Sequence, residues 1–171
     1  MKVLLVIPPE NFRDEELARP VELFEKEKIQ YDIASTRRGE CKGMLGARAR
    51  ATLTLEEVDP SAYAGIVIVG GTGSPVHLWD NEMLAQLVKY FAKNSRLVAA
   101  ICLSPVVLAR AGVLQGKRAT CYDTPLSTKE MRKGGVNLSG DAVVTDGNVI
   151  TANGPAAAGE FAAAIVRALK G

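Results

Sequence analysis

Short runs of aliphatic residues alternate along the chain with longer stretches in which apolar positions recur every three or four residues. Val3–Ile7, Tyr31–Ala34, Ile66–Val69 and Leu97–Ile101 are apolar at nearly every position, the pattern of strands covered on both faces. Between them, Asp14–Lys26 reads as an amphipathic helix in which Pro20 marks a kink or a later start. Asn81–Lys93 places Leu84, Leu87, Val88 and Phe91 on one helical face. A further helix starts just after Cys102, and Pro155 opens a final alanine-rich helix that ends near Gly171. Val143–Ile150 reads as a hairpin turning at Asp146-Gly147. The alternation predicts right-handed βαβ units and a mostly parallel sheet with helices on both faces. Thr36–Thr54 breaks the pattern: it is short-period and polar, with Gly39, Gly43 and Gly46, and predicts a small hairpin or excursion outside the main sheet.

Composition narrows the class without changing that picture. A chain of 171 residues with 47% hydrophobic and 23% charged residues fills one globular domain, 1–171, with no internal repeat or linker. Its Lys and Arg residues are spread along the chain and leave a net charge of only +2, so neither a nucleic-acid footprint nor a membrane-surface patch is expected. The N-terminal apolar run is too short for a signal peptide or a membrane span, and a cytoplasmic protein is expected. The 3 cysteines, Cys41, Cys102 and Cys121, form no C-x-x-C pair, which argues against a disulfide framework and a zinc cluster. With His77 the single histidine, neither a metal nor a cofactor is expected.

In an open parallel sheet, ligands bind beyond the carboxyl ends of the strands. After the first strand comes Pro8-Pro9-Glu10-Asn11-Phe12, acidic and proline-bearing where a phosphate loop would offer free backbone N–H groups. Gly70-Gly71-Thr72-Gly73-Ser74-Pro75 contains a G-x-G, but Val76 stands where a dinucleotide turn has its third glycine, and Pro75 removes a donor. A tight turn presenting N–H groups to a reactive atom, an oxyanion hole, is the better reading. The third strand end, Leu97 through Cys102 to Leu108, reads strand, cysteine, helix. A nucleophile elbow needs small residues two positions either side of its centre, and Ala100 and Ser104 meet that need. The helix start would favour thiolate at Cys102. The competing reading is a cysteine that is simply a small buried hydrophobe.

Several segments resemble the ThiJ/PfpI superfamily. They are Asn11-Phe12-Arg13-Asp14-Glu15-Glu16-Leu17 with Pro20; Val67-Ile68-Val69-Gly70-Gly71; Ala99-Ala100-Ile101-Cys102 with Pro105; Ala111-Gly112-Val113-Leu114 with Gly116; and Asp146-Gly147-Asn148 through Thr151-Ala152-Asn153-Gly154-Pro155. The resemblance implies a flavodoxin-like, class I glutamine amidotransferase-like three-layer α/β sandwich. It makes Cys102 the elbow nucleophile, Glu16 the carboxylic acid facing its sulfur, Gly71 and Leu103 the oxyanion-hole donors, and Gly70, Tyr122 and Trp79 part of the site wall. An ionised Glu16 would raise the thiol pKa by repulsion, whereas a protonated one would donate to the thiolate. A first-turn Glu that merely suits the helix dipole is the plainer alternative.

The departures bear on function. Proteolytic members of the superfamily carry His directly after the cysteine, where this chain has Leu103-Ser104, and other members place a His after the next strand, where this chain has Tyr122. A Cys-His pair is therefore missing, and PfpI-type proteolysis is disfavoured. His77, in His77-Leu78-Trp79-Asp80, either supplies the base or serves structure and dimer contact; Asp80 either orients it or caps the following helix. The resemblance implies a homodimer or higher oligomer, to which the same loop would offer apolar area. Two functions stand against each other: a stress-response enzyme of glyoxalase or deglycase type acting on a small carbonyl substrate, and a noncatalytic redox-sensing or chaperone-like protein in which an oxidant converts Cys102 to a sulfinate.

Overall fold

The computed structural model describes residues 1–171. In chain order the elements are β1 (Lys2–Val6), β2 (Glu10–Phe12), α1 (Asp14–Lys26), β3 (Gln30–Ser35), β4 (Gly39–Gly43), β5 (Arg48–Ala51), β6 (Leu53–Thr54), β7 (Gly65–Ile68), α2 (Gly73–His77), α3 (Glu82–Lys93), β8 (Leu97–Ile101), α4 (Pro105–Arg110), β9 (Arg118–Ala119), α5 (Pro125–Lys133), β10 (Asn137–Leu138), β11 (Val143–Asp146), β12 (Val149–Ala152) and α6 (Ala158–Lys170). Seven strands form the central sheet in the order β11-β12-β8-β7-β1-β3-β6. All pair in parallel except β11, the antiparallel partner of β12 across the Asp146-Gly147 turn.

The consecutive apolar runs have the cause inferred from sequence. Leu4 and Val6 enter one core with α3 and α4, while Val3, Leu5 and Ile7 enter the other with α1 and α6. Both faces of each central strand are thus dry, and period-two alternation has no reason to appear. Pro20 lies inside an unbroken α1 that starts at Asp14, so the later start is not adopted; its missing N–H is the one that would bond the Glu16 carbonyl.

Thr36–Thr54 forms the expected excursion, with more structure than a hairpin. β4 and β5 pair antiparallel, β2 adds as a third strand, and β6 returns to the main sheet beside β3. Asp14 ties the hairpin tip to α1: its carboxylate oxygens accept Leu45 N–H at 2.9 Å and Ala47 N–H at 2.8 Å. Strand order reverses at β1, with β3 on one side and β7 on the other, so a crevice opens at the carboxyl ends of β1 and β7. β8 lies next to β7 and brings Cys102 to that crevice.

Candidate active site at the Cys102 elbow

Cys102 follows the last residue of β8 and has φ 66°, a left-handed conformation that a side-chain-bearing residue adopts only where its surroundings enforce it. The enforcement is visible. Cys102 N–H donates to Ala152 O at 2.9 Å, and its carbonyl accepts Tyr122 N–H at 2.8 Å. One residue on, the Leu103 carbonyl accepts the Trp79 indole N–H at 2.8 Å. Ser104, fully buried, donates its hydroxyl to Val69 O at 2.7 Å and lies 2.8 Å from the Ser74 hydroxyl. The small residue required at position 104 is therefore also a polar latch between the elbow and the end of β7.

The glycines after β7 are explained by close approach rather than by a phosphate. A Cβ on Gly70 would lie 2.6 Å from Cys102 Cβ and 2.8 Å from Glu16 Oε1, so only glycine lets these two side chains meet across it. Gly71 has φ +105°, and a Cβ there would lie 2.3 Å from Asn11 O. The N–H groups of Gly71 and Leu103 both point at the Cys102 sulfur.

Glu16 sits in the first turn of α1, fully buried. Its Oε1 accepts Gly70 N–H at 3.1 Å, and its Oε2 is buried with no hydrogen-bonding partner. Loss of water pushes its pKa up to about 8, against the Cys102 and Gly70 hydrogen bonds, which act the other way. Burial first, and then the neighbouring Glu16 charge, push the Cys102 thiol up to about 12. The helix-start argument for a resting thiolate is thus corrected: α4 begins only at Pro105 and is 6 residues long, and desolvation outweighs it. The two groups titrate as a unit. Glu16 gives up its proton near pH 8, and its charge then holds the remaining proton on the thiol. The sulfur faces two backbone donors and the carboxylate one, which can hold charge that develops at either atom during a reaction.

The thiol opens onto a pocket of about 150 Å³ that Gly71, Leu103 and Tyr122 also line. Arg13 and Met44 complete the side towards α1 and the hairpin tip, and neither was singled out from sequence. Arg13 immediately precedes α1, a placement that could have flagged it; Met44 arrives through the β2–β4 pairing, which no local signal foretells. Gly70, expected in the site wall, lies behind the thiol and does not line the pocket.

Two other expectations need correction. His77 ends α2 half-buried and does not line the Cys102 pocket. Trp79 does not line it either: the ring is buried behind the elbow, with the Arg110 guanidinium 5.0 Å from its centroid. Leu78 and Trp79 belong to the chain's own core, so this loop offers a partner little apolar area apart from Val76, which is 76% exposed. Asp80 neither caps nor orients. It pairs with Arg110, while Asn81 caps α3 by accepting Leu84 N–H at 2.9 Å.

The model of the DJ-1/PfpI family matches residues 1–168. The chain belongs to the DJ-1/PfpI family. Within it, the chain is 48% identical over 169 residues to an uncharacterized protein of Methanocaldococcus jannaschii, covering 99% of this chain and 82% of that one. It is 33% identical over 156 residues to a deglycase of Pyrococcus horikoshii, 91% and 92% covered, and 32% identical over 168 residues to a glutathione-independent glyoxalase of Caenorhabditis elegans, 98% and 88% covered. Among solved structures, a ThiJ/PfpI domain protein from Brachyspira murdochii superimposes with a TM-score of 0.94 at 34% identity, covering 99% of this chain and 96% of that one. The flavodoxin-like three-layer architecture expected from sequence is the DJ-1/PfpI fold.

Proposed function

We propose that this DJ-1/PfpI member is a cysteine-centred enzyme of glyoxalase or deglycase type, acting on small reactive carbonyl compounds through Cys102 and Glu16. The observation that carries the reading is the buried Glu16 carboxyl, one oxygen without a partner, set against a thiol that opens onto a small pocket. Relatives that bear the names deglycase and glutathione-independent glyoxalase support it.

The chemistry follows from the proton shared by the pair. As sulfur attacks an aldehyde carbon, the S–C bond forms and the C=O π electrons move to oxygen, which takes the proton through Glu16 and yields a hemithioacetal. The Gly71 and Leu103 N–H groups stabilise the developing oxyanion. For a 2-oxoaldehyde, Glu16 then moves the proton of the first carbon to the second oxygen, giving an enediol, and the hydroxyl proton of the first oxygen to the second carbon, giving a thioester. Water releases this as a 2-hydroxy acid. The oxidation and reduction are internal, and no external oxidant is consumed.

Without an imidazole at position 103 or 122, the site lacks a separate base of the kind typically worth about 10²–10⁴-fold in rate, so turnover is slow. The pocket of about 150 Å³ favours small carbonyls over peptides. The test is lactate formation from methylglyoxal by wild type beside Cys102→Ala. Lactate from wild type alone supports the reading, and equal formation by both removes it.

A second reading has its own observation: two backbone N–H groups and a protonated Glu16 around one sulfur suit a sulfinate as well as an oxyanion. The thiolate sulfur attacks a peroxide oxygen, the O–O bond breaks, and the departing oxygen takes a proton from Glu16 and leaves as water; the sulfenate repeats the step on a second peroxide. Mass mapping after mild peroxide should show two added oxygens on Cys102 before Cys41 or Cys121, and their absence would remove this role.

Association as a homodimer or higher oligomer is proposed on the exposed Val76 and on Leu45 at the hairpin tip, 63% exposed. Sedimentation showing only an 18.2 kDa species would count against it.

A further inference from the structure

The Cys102 pocket has one charged residue in its lining, and the mechanism above does not use it. Arg13 is fixed at the backbone, where its N–H donates to Gly70 O at 3.0 Å. Its side chain, 30% exposed, donates Nε–H to Glu15 Oε2 at 2.8 Å, and neither Nη1 nor Nη2 makes a hydrogen bond or ion pair within the chain. Glu15 itself does not line the pocket, and the buried Glu16 keeps its proton at neutral pH. A guanidinium with two free terminal nitrogens therefore shares a small cavity with a nucleophilic sulfur. Such a group is shaped to bind a carboxylate or phosphate through paired hydrogen bonds.

Building on the reading of Cys102 as the reactive thiol, we propose that Arg13 makes this pocket selective for carbonyl compounds that carry an anionic group close to the carbonyl, with a short 2-oxo acid such as glyoxylate as the best-fitting class. Size sets the spacing. Ordinary ligand pockets run to about 300–1,000 Å³, and this one holds about 150 Å³. The carbon bonded to sulfur and the anion held by Arg13 must belong to one short molecule, one or two bonds apart. With glyoxylate, the Cys102 S–H adds across the aldehyde: S–C forms, the C=O π bond opens, and the thiol proton passes through Glu16 to oxygen. The carboxylate stays on Arg13, no redox change occurs, and the adduct is reversible.

The test reads pocket charge without turnover. Cys102 alkylation is timed by mass mapping with neutral iodoacetamide and with anionic iodoacetate, in wild type, Arg13→Ala, Arg13→Lys and Glu15→Gln. The iodoacetate-to-iodoacetamide rate ratio should fall about tenfold in Arg13→Ala, as expected for loss of one charge-assisted hydrogen bond. Arg13→Lys should keep most of the ratio, Glu15→Gln should raise it, and high salt should shrink it. Glyoxylate should slow iodoacetamide labelling of wild type but not of Arg13→Ala, whereas methylglyoxal should slow both. Stronger protection by glycolaldehyde phosphate than by glyoxylate would assign the anion as phosphate, still held by Arg13. A ratio unchanged in Arg13→Ala overturns the proposal. Failure of Cys102 to react with either reagent instead overturns the Cys102 reading, and this proposal with it.

Discussion

Cys41 and Cys102 are both buried thiols, and in both, loss of water is the largest influence raising the pKa. Their surroundings otherwise have little in common. Cys41 lies mid-strand in β4, where its Sγ donates weakly to Gly39 O at 3.7 Å. It has no buried carboxyl beside it and lines none of the cavity at the elbow. Cys102 sits in a left-handed turn, with two N–H groups aimed at its sulfur and a half-satisfied carboxyl across Gly70. Burial alone makes a thiol inert. A second acid that can relay its proton, together with donors that can hold the developing charge, converts the same burial into a poised pair.

The comparison is broken most sharply by exchanging the thiols. Cys102→Ala should abolish lactate formation from methylglyoxal, while Cys41→Ala should leave the specific rate of the folded protein unchanged; loss of rate in both would mean that fold integrity, not chemistry, was being read. Next comes the carboxyl. Glu16→Gln keeps the shape but cannot carry the proton, and turnover should fall about 10²–10⁴-fold.

The same residue links stability to pH. With its folded pKa at about 8 against 4.5, Glu16 holds a proton that the unfolded chain has already released. Its contribution is fully present below pH 4.5 and is lost as pH rises through 8, a change of roughly 5 kcal/mol. Urea denaturation of wild type should therefore show stability declining over that interval, and in Glu16→Gln the decline should be much smaller. An identical slope in the two proteins would mean that Glu16 ionises freely.

The smallest effect expected is at Gly70. Gly70→Ala inserts a methyl between Glu16 and Cys102 and should destabilise by about 1–3 kcal/mol. Gly140, where a Cβ would meet nothing within 4 Å, provides the control; Gly140→Ala should stay within about 0.5 kcal/mol by thermal unfolding.

What could be read from the chain follows from which interactions are local. β1, β7 and β8 are dry on both faces, so their runs of Val, Ile, Leu and Ala announced the parallel sheet, and the small residues Ala100 and Ser104 announced the elbow. Glu16 came from resemblance to a family, since nothing in a first-turn Glu says which way it faces. Three things escaped. The thiolate expectation weighed a helix dipole that is local and missed a desolvation that is tertiary. The placement of His77 and Trp79 depended on the path of a one-turn helix, α2, which sends Trp79 beneath the elbow to hold the Leu103 carbonyl. Met44 reaches the pocket because β2 pairs with β4 and Asp14 anchors the hairpin tip, contacts that join residues far apart in sequence.

The central claim is that Cys102 and Glu16 titrate as one unit, and the pH dependence of Cys102 alkylation by iodoacetamide tests it directly. In wild type the charged Glu16 adds to burial in holding the thiol proton, so the rate should rise only well above 9, the ordinary thiol value. In Glu16→Gln that repulsion is gone, and the midpoint should move down towards 9. A wild-type midpoint at the ordinary thiol value, or one that Glu16→Gln leaves in place, would contradict the account.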